Sequence, residues 1–240
     1  MSRRLAAVLV LLGFLAGLAI ATFSEYRIFL PALLRGAVVT VKVGVLSIAL
    51  FYAMAFIAGI GRLNKNRIIR YTATVYIEVF RGTSLLVILF WLFFVLPEFG
   101  VILSPLAAAV LGMGLNYGAY GAEVVRGAIL AVPRGQYEAS LALNMTPRKQ
   151  MLRVVLPQAV LVTIPGLSNL TIELIKATAL VSAVTLVDIT FASVQQNQIH
   201  LRTIDIFVIT LLLYYCLAQF VRFGGGMLEA RAGRHLAKAR

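Results

Sequence analysis

Along this chain, runs of apolar residues long enough to cross a bilayer alternate with short polar segments that are mostly basic. Six runs stand out, at roughly 5–23, 36–60, 80–97, 103–122, 156–180 and 204–223. A helix rises about 1.5 Å per residue, so roughly 20 residues cover the ~30 Å hydrocarbon layer. Backbone groups in lipid must bond within their own segment, which makes each run a predicted helix rather than a strand. Residues 1–30 read as a membrane anchor helix. A secretory signal peptide is the alternative, because Arg3 and Arg4 precede the first run, but that run is long for a signal and no small-x-small cleavage site follows it. Residues 31–223 read as one transmembrane domain with a patterned loop at about 123–155, and 224–240 as a basic tail.

Charge sets the expected orientation. With the N-terminus inside, fifteen lysines and arginines fall in cytoplasmic segments, and only Arg27, Arg35 and Arg202 fall outside. That asymmetry satisfies the positive-inside rule and puts both termini of a multi-pass inner-membrane protein in the cytoplasm. It also accounts for the net charge of +13 without nucleic acid, and no nucleic-acid partner is expected. Composition agrees: 61% of residues are hydrophobic, 13% are charged, and the mean hydropathy is +0.94. Soluble domains carry about 25% charged residues, so membrane lipid must cover the apolar excess.

The chemistry that the sequence excludes is equally plain. A single cysteine, Cys216, and two distant histidines, His200 and His235, offer no disulfide framework and no metal-ligand spacing. There is no phosphate-binding Gly-x-x-x-x-Gly-Lys-Ser/Thr loop, no His-Glu-x-x-His and no Gly-x-Ser-x-Gly. No cofactor is expected and the chain reads as a non-enzyme.

The loop at 123–155 carries the strongest pattern. Pro133-Arg-Gly135 is a turn signal, Gln136–Leu143 are helix formers, and Asn144 tolerates the left-handed conformation that stops a helix. Thr146-Pro147 then supplies an N-cap and a first helical residue. Two short helices joined by a tight bend are predicted. The first has a small face at Ala139, Ser140 and Ala142, a shape suited to a groove on another protein.

Glu138-Ala-Ser, Asn144 and Arg153-Val-Val-Leu-Pro157 together resemble the Glu-Ala-Ala loop of permeases of ATP-binding cassette importers. Gly118-Ala-Tyr-Gly-Ala-Glu123, Arg126-Gly-Ala, Val132-Pro-Arg-Gly-Gln136, Pro157-Gln-Ala159, Glu78-Val-Phe-Arg-Gly-Thr83 and Leu174-Ile-Lys176 are similar to the polar amino-acid uptake branch, the histidine–glutamine–arginine type. The similarity covers about residues 36–223. It departs at three positions: Asn144 stands where the family usually has Gly, Ser84 where it has Pro, and Ala177 where it has Asp.

The resemblance implies an all-α integral membrane protein: a five-helix importer-type permease core plus one extra N-terminal transmembrane helix, with a cytoplasmic coupling-helix loop. It implies translocation of a polar amino acid or related small zwitterionic solute by alternating access. The implied partners are a pair of cytoplasmic ATP-binding subunits, an extracytoplasmic solute-binding protein and a second permease subunit, identical or a sister. By the same resemblance, Glu138, Ala139, Ser140 and Asn144 belong to the contact with the ATPase.

Polar residues inside the runs are the remaining candidates, because a charge in hydrocarbon usually faces protein or a wet path. Asn169, Glu173 and Lys176 recur at i, i+4 and i+7 on one face of the fifth run, with Thr178 near its end. An acid and a base on one face could meet the ammonium and carboxylate of a zwitterion. They could equally pair with each other. Asn116 lies among Gly112, Gly114, Gly118 and Gly121, where either a solute path or close helix packing would use it. Glu78 and Arg81 read as an i, i+3 structural pair, and Lys42 as a snorkelling side chain.

Overall fold

The computed structural model describes residues 28–238, with side chains from 28 to 227. The first apolar run, and with it the anchor-or-signal alternative, lies outside the described residues, as do the side chains of Arg231, Arg234, Lys238 and Arg240. The described residues are mainly helical, joined by short connections and without strands. The order is α1 (Leu30–Gly61), α2 (Arg67–Gly82), α3 (Leu85–Phe90), α4 (Pro105–Leu130), α5 (Arg134–Ala142), α6 (Pro147–Gln150), α7 (Leu156–Ala177), α8 (Ile189–His200) and α9 (Thr203–Lys238). A π-helical turn, Trp91–Val95, and a 3-10 turn, Leu96–Phe99, extend α3. A second π turn, Met151–Val155, joins α6 to α7, and a 3-10 turn, Thr178–Val184, continues α7.

By length and composition, three helical stretches can cross a membrane: Leu30–Gly61, Pro147–Val184 and Thr203–Met227. A fourth would be the pair Arg67–Gly82 and Leu85–Phe99, which is bent by 104°. The expected run at 103–122 appears as the 26-residue α4. Its glycines, Asn116 and tyrosines leave it long enough to span but less apolar than the others.

Four elements differ from the pattern of runs. α2 is a strongly amphipathic helix over residues expected as a connection. Asn66 starts it, its side chain accepting from the Ile68 N–H at 2.9 Å. The run at 80–97 is broken after Gly82, where Thr83 is extended, and Pro97 later turns the chain. α8 lies outside the apolar runs, because it is short and carries Gln195, Gln196 and Asn197. The basic stretch from 224 onward continues α9 rather than forming a separate element. Pro165 sits inside α7, where it removes the N–H that would reach the Leu161 carbonyl.

The chain divides into two compact units. The first comprises the described residues of Met1–Ser47, Leu86–Gly112 and Ile172–Arg222. Here Phe29, Leu33, Ile206 and Ile209 form a buried cluster against Leu30 and Leu213. A Cβ on Gly36 would lie 2.6 Å from the Asp188 carbonyl oxygen, so only glycine allows this approach. Thr40 Oγ1 donates to the Gly36 carbonyl at 3.1 Å and accepts from the Ile189 N–H at 3.2 Å.

The second unit comprises Ile48–Leu85, Met113–Thr171 and the described part of Phe223–Arg240. α1 and α4 meet closely at Gly59, where a Cβ would lie 2.7 Å from the Ala122 carbonyl oxygen and 2.9 Å from Val125 Cβ. Ala58, Ile77 and Ala122 form a buried cluster that seats α2 on this pair. Small residues permit such approach where lipid supplies no hydrophobic drive.

Candidate functional site

The 123–155 segment is anchored at its start by charge. Glu123 accepts from Arg126 Nη2 at 2.9 Å and from Arg62, and Arg62 Nη2 also pairs with Glu78 at 3.1 Å. Burial would raise the Glu123 carboxyl, but hydrogen bonds from, and the charges of, Arg126 and Arg62 outweigh it and hold the group below the usual glutamate range. Glu78 therefore pairs with Arg62 and not with the expected Arg81. The Arg81 guanidinium lies 5.5 Å from the Tyr120 ring centroid.

After α4 the chain turns at Pro133, whose extended backbone starts α5 at once; the expected turn at Pro133–Gly135 is the first turn of a helix. The Tyr137 hydroxyl donates to the Ile129 carbonyl at 3.2 Å and ties α5 to the end of α4. α5 then ends in a Schellman motif. The Met145 N–H bonds the Ser140 carbonyl at 3.0 Å, the Asn144 N–H bonds the Leu141 carbonyl at 2.8 Å, and Asn144 takes φ 52°. Thr146 caps α6 through Lys149 N, with Pro147 in the first turn. The two short helices and the left-handed Asn144 match the pattern in the sequence.

The elbow has an inside and an outside. Ser140 is 2% exposed. Its hydroxyl donates to the Tyr137 carbonyl at 2.7 Å and accepts from Gln150 Nε2. It braces the elbow and is not available at its surface. Glu138, Ala139, Ala142 and Asn144 are exposed, beside Leu141 at 63% and Leu143 at 75% exposure. Two leucines this open on a short polar helix form an apolar tip. Sequence reading named the small residues and missed the leucines.

Along α7, Asn169 is exposed in the second unit, and Glu173 and Lys176 are exposed in the first. Helical register puts Glu173 and Lys176, one turn apart, on one face. Among the described residues, neither Glu173 nor Lys176 has an ion-pair partner, so the alternative of mutual pairing is not realised. Thr178 stands apart: it is buried and donates to the Ile175 carbonyl at 2.6 Å. Asn116 is 4% exposed and donates to the Phe80 carbonyl at 2.7 Å and that of Thr83 at 3.5 Å, which satisfies the end of α2 where the chain breaks. Lys42 is exposed.

A buried polar group that periodicity could not reveal lies in the first unit. Asp188 caps α8 by accepting from the Phe191 N–H at 2.8 Å and accepts from the Tyr214 hydroxyl at 2.8 Å. The Tyr214 hydroxyl also lies 2.9 Å from Thr190 Oγ1. The only sequence cue was an aspartate directly before a helix-forming stretch. No cluster of three metal-ligating side chains occurs among the described residues.

Comparison with known proteins places this arrangement. Residues 51–233 match the family described as binding-protein-dependent transport system inner membrane component. A probable amino-acid ABC transporter permease of Sinorhizobium fredii is 43% identical over 216 residues, covering 88% of this chain and 91% of the relative. An L-cystine transport system permease of Bacillus subtilis is 37% identical, covering 88% of this chain and 90% of the relative. The crystal structure of an amino acid ABC transporter with histidines superposes with a TM-score of 0.81 at 29% identity, covering 87% of this chain and 98% of that one. The methionine transporter MetNI shares the fold, with a TM-score of 0.71 at 22% identity. The chain belongs to the binding-protein-dependent transport system inner membrane components, as a non-enzymatic permease subunit of an ATP-binding cassette importer whose ATP hydrolysis resides in a partner subunit.

Proposed function

We propose that this permease moves a polar amino acid or related small zwitterionic solute across the cytoplasmic membrane of a bacterium, with both termini in the cytoplasm. The observation that carries the reading is the unpaired, exposed Glu173 and Lys176 on a membrane-spanning helix. Each charge left in hydrocarbon costs about 2.5–3.5 kcal/mol on insertion scales, so this face belongs against a second permease subunit, identical or a sister, and a wet path. Glu173 and Lys176 line that path, and they offer a zwitterion one acid and one base. Thr178 and Asn116 support the helices around it instead.

The elbow is the coupling element. Glu138, Ala139 and Asn144, with Leu141 and Leu143, dock into a cleft on a pair of cytoplasmic ATP-binding subunits, and Ser140 holds the docking surface in shape. An extracytoplasmic binding protein delivers the solute. Amino-acid names among the relatives support this solute class.

The test is uptake by the reconstituted complex with Glu173→Gln and Lys176→Met. The expected result is at least a tenfold loss of uptake, about 1.4 kcal/mol, or a changed order of preference among acidic, basic and neutral amino acids. Unchanged uptake and selectivity in both variants would sink the path assignment.

A further inference from the structure

Immediately after α1 the chain carries Arg62, Lys65, Arg67 and Arg70, and the fold gathers three of these around one opening. A groove of about 620 Å³ is lined by Arg62, Arg67, Ile68, Arg70, Tyr71 and Thr74. A second groove of about 360 Å³ is lined by Tyr71, Thr72, Val75, Tyr76, Val79 and Phe80. Tyr71 borders both, so the basic groove runs into an apolar one along the same helix. No carboxylate lines either, but Glu78 and Glu123 already hold the Arg62 guanidinium, so Arg67 and Arg70 are the cations left to meet a ligand.

α2 shows why the two adjoin. Its inner stripe, centred on Ile77 with Tyr76 packed beside it, seats it on α1 and α4. A second stripe points away: Ile68, Tyr71, Val75 and Val79 recur at i, i+3, i+7 and i+11, and all are exposed, Ile68 at 73% and Tyr71 at 70%. Arg67 and Arg70 stand one helical turn apart at the start of this stripe, and the first turn carries no acid to neutralise them. The turn that presents them is built, because Asn64 Oδ1 accepts from the Asn66 N–H at 2.8 Å and Asn66 caps the helix. The helix dipole adds partial positive charge at the same end.

We propose that these two grooves form a binding site for an anionic phospholipid, with the phosphate held by Arg67 and Arg70 and an acyl chain along Val75, Val79 and Phe80. Charge complementarity selects the phosphate, since guanidinium forks match its oxygens. The apolar continuation selects a lipid over a free phosphate or nucleotide, which would leave the second groove empty. Basic clusters directly beside a span are where anionic headgroups gather. The Tyr71 ring suits the boundary, with an apolar body and a donor at its tip. The site rests on the membrane setting alone and is independent of the solute.

The full chain, co-purified with its ATP-binding subunits, is placed in phosphatidylcholine nanodiscs containing a trace of photoactivatable phosphatidylglycerol. Labelled peptides are then mapped. Label is expected within residues 67–82, and at least fivefold less with photoactivatable phosphatidylcholine. Arg67→Gln with Arg70→Gln should cut the label about 25-fold, since each basic residue contributes about fivefold to anionic-surface affinity. Both side chains are exposed, so folding survives the change. Val75→Gln with Val79→Gln should reduce the label while leaving competition by glycerol phosphate unchanged. Equal labelling by the two lipids, undiminished label in the arginine variant, or label lying elsewhere overturns the site. So does efficient disulfide formation between two copies of Val75→Cys in the complex, which would show a second permease covering the face. Saturating competition by inorganic phosphate at micromolar levels would overturn the lipid in favour of a soluble anion.

Discussion

Gln150, the last residue of α6, reaches back across the elbow and donates through Nε2 to the backbone carbonyl of Tyr137 at 3.0 Å. The same amide meets the Ser140 hydroxyl, so a single side chain fastens one short helix to the other. A segment of this size has little apolar interior of its own, and its shape depends on such ties.

Removing the tie with Gln150→Ala should loosen the elbow without unfolding the spans. Net hydrogen-bond contributions of about 1 kcal/mol each suggest a local cost of about 1–2 kcal/mol. Limited trypsin digestion would report it, as faster cleavage at Arg148 and Lys149. ATP-driven uptake should fall several-fold while permease abundance in the membrane stays the same. Cleavage and uptake like wild type would show that the tie is idle.

Asn144 holds φ 52°, a conformation that costs most L-residues about 1–2 kcal/mol. Asn144→Gly should therefore be neutral or slightly stabilising. Asn144→Val, β-branched and strained there, should lower uptake and the thermal stability of the elbow by about 1–2 kcal/mol. The pair of variants separates backbone shape from side-chain contact, which would make Gly the damaging change.

The Glu123 carboxyl is held below its ordinary range by Arg126 and Arg62 against the pull of burial. Because the folded value lies below the unfolded one, the network's contribution is present above the ordinary glutamate pKa and is lost as pH falls through the lowered value. The melting difference between wild type and Glu123→Gln should thus stay constant from neutral pH to about pH 5 and close only in stronger acid. A difference that vanishes already near pH 6 would contradict the ion-pair geometry.

Gly59 has no room for a methyl group, with the Ala122 carbonyl oxygen 2.7 Å from where its Cβ would stand. Gly59→Ala should push α1 from α4 and lower stability by about 1–3 kcal/mol, the usual cost of overpacking. Gly127→Ala, where nothing lies within 4 Å, is the matched control and should leave thermal unfolding in detergent unchanged.

Much of this was legible because hydropathy and helix punctuation act locally. The runs at 36–60 and 204–223 each lie within a long helix, 156–180 is α7 and the start of the 3-10 turn after it, and Asn144 and Thr146-Pro147 marked the elbow to the residue. What escaped depended on distance in the chain. Glu78 looked bound to Arg81, its neighbour in sequence, but the fold brings Arg62 to it. Ser140 read as surface until Gln150 arrived from the next helix. Asn116 stayed open between a solute path and close packing because its partners, the Phe80 and Thr83 carbonyls, are far from it in the chain. α2 was missed because its apolar stripes are narrow and its start is crowded with arginine, so window-averaged hydropathy hides it.

Pro165 leaves the Leu161 carbonyl without its regular helical donor. Elsewhere along the span, bending means stretching a backbone hydrogen bond with no water to replace it. Here that bond was never made, so bending α7 at this turn has one backbone pair fewer to stretch. A transport cycle that tilts one half of this helix against the other would find its cheapest joint already cut.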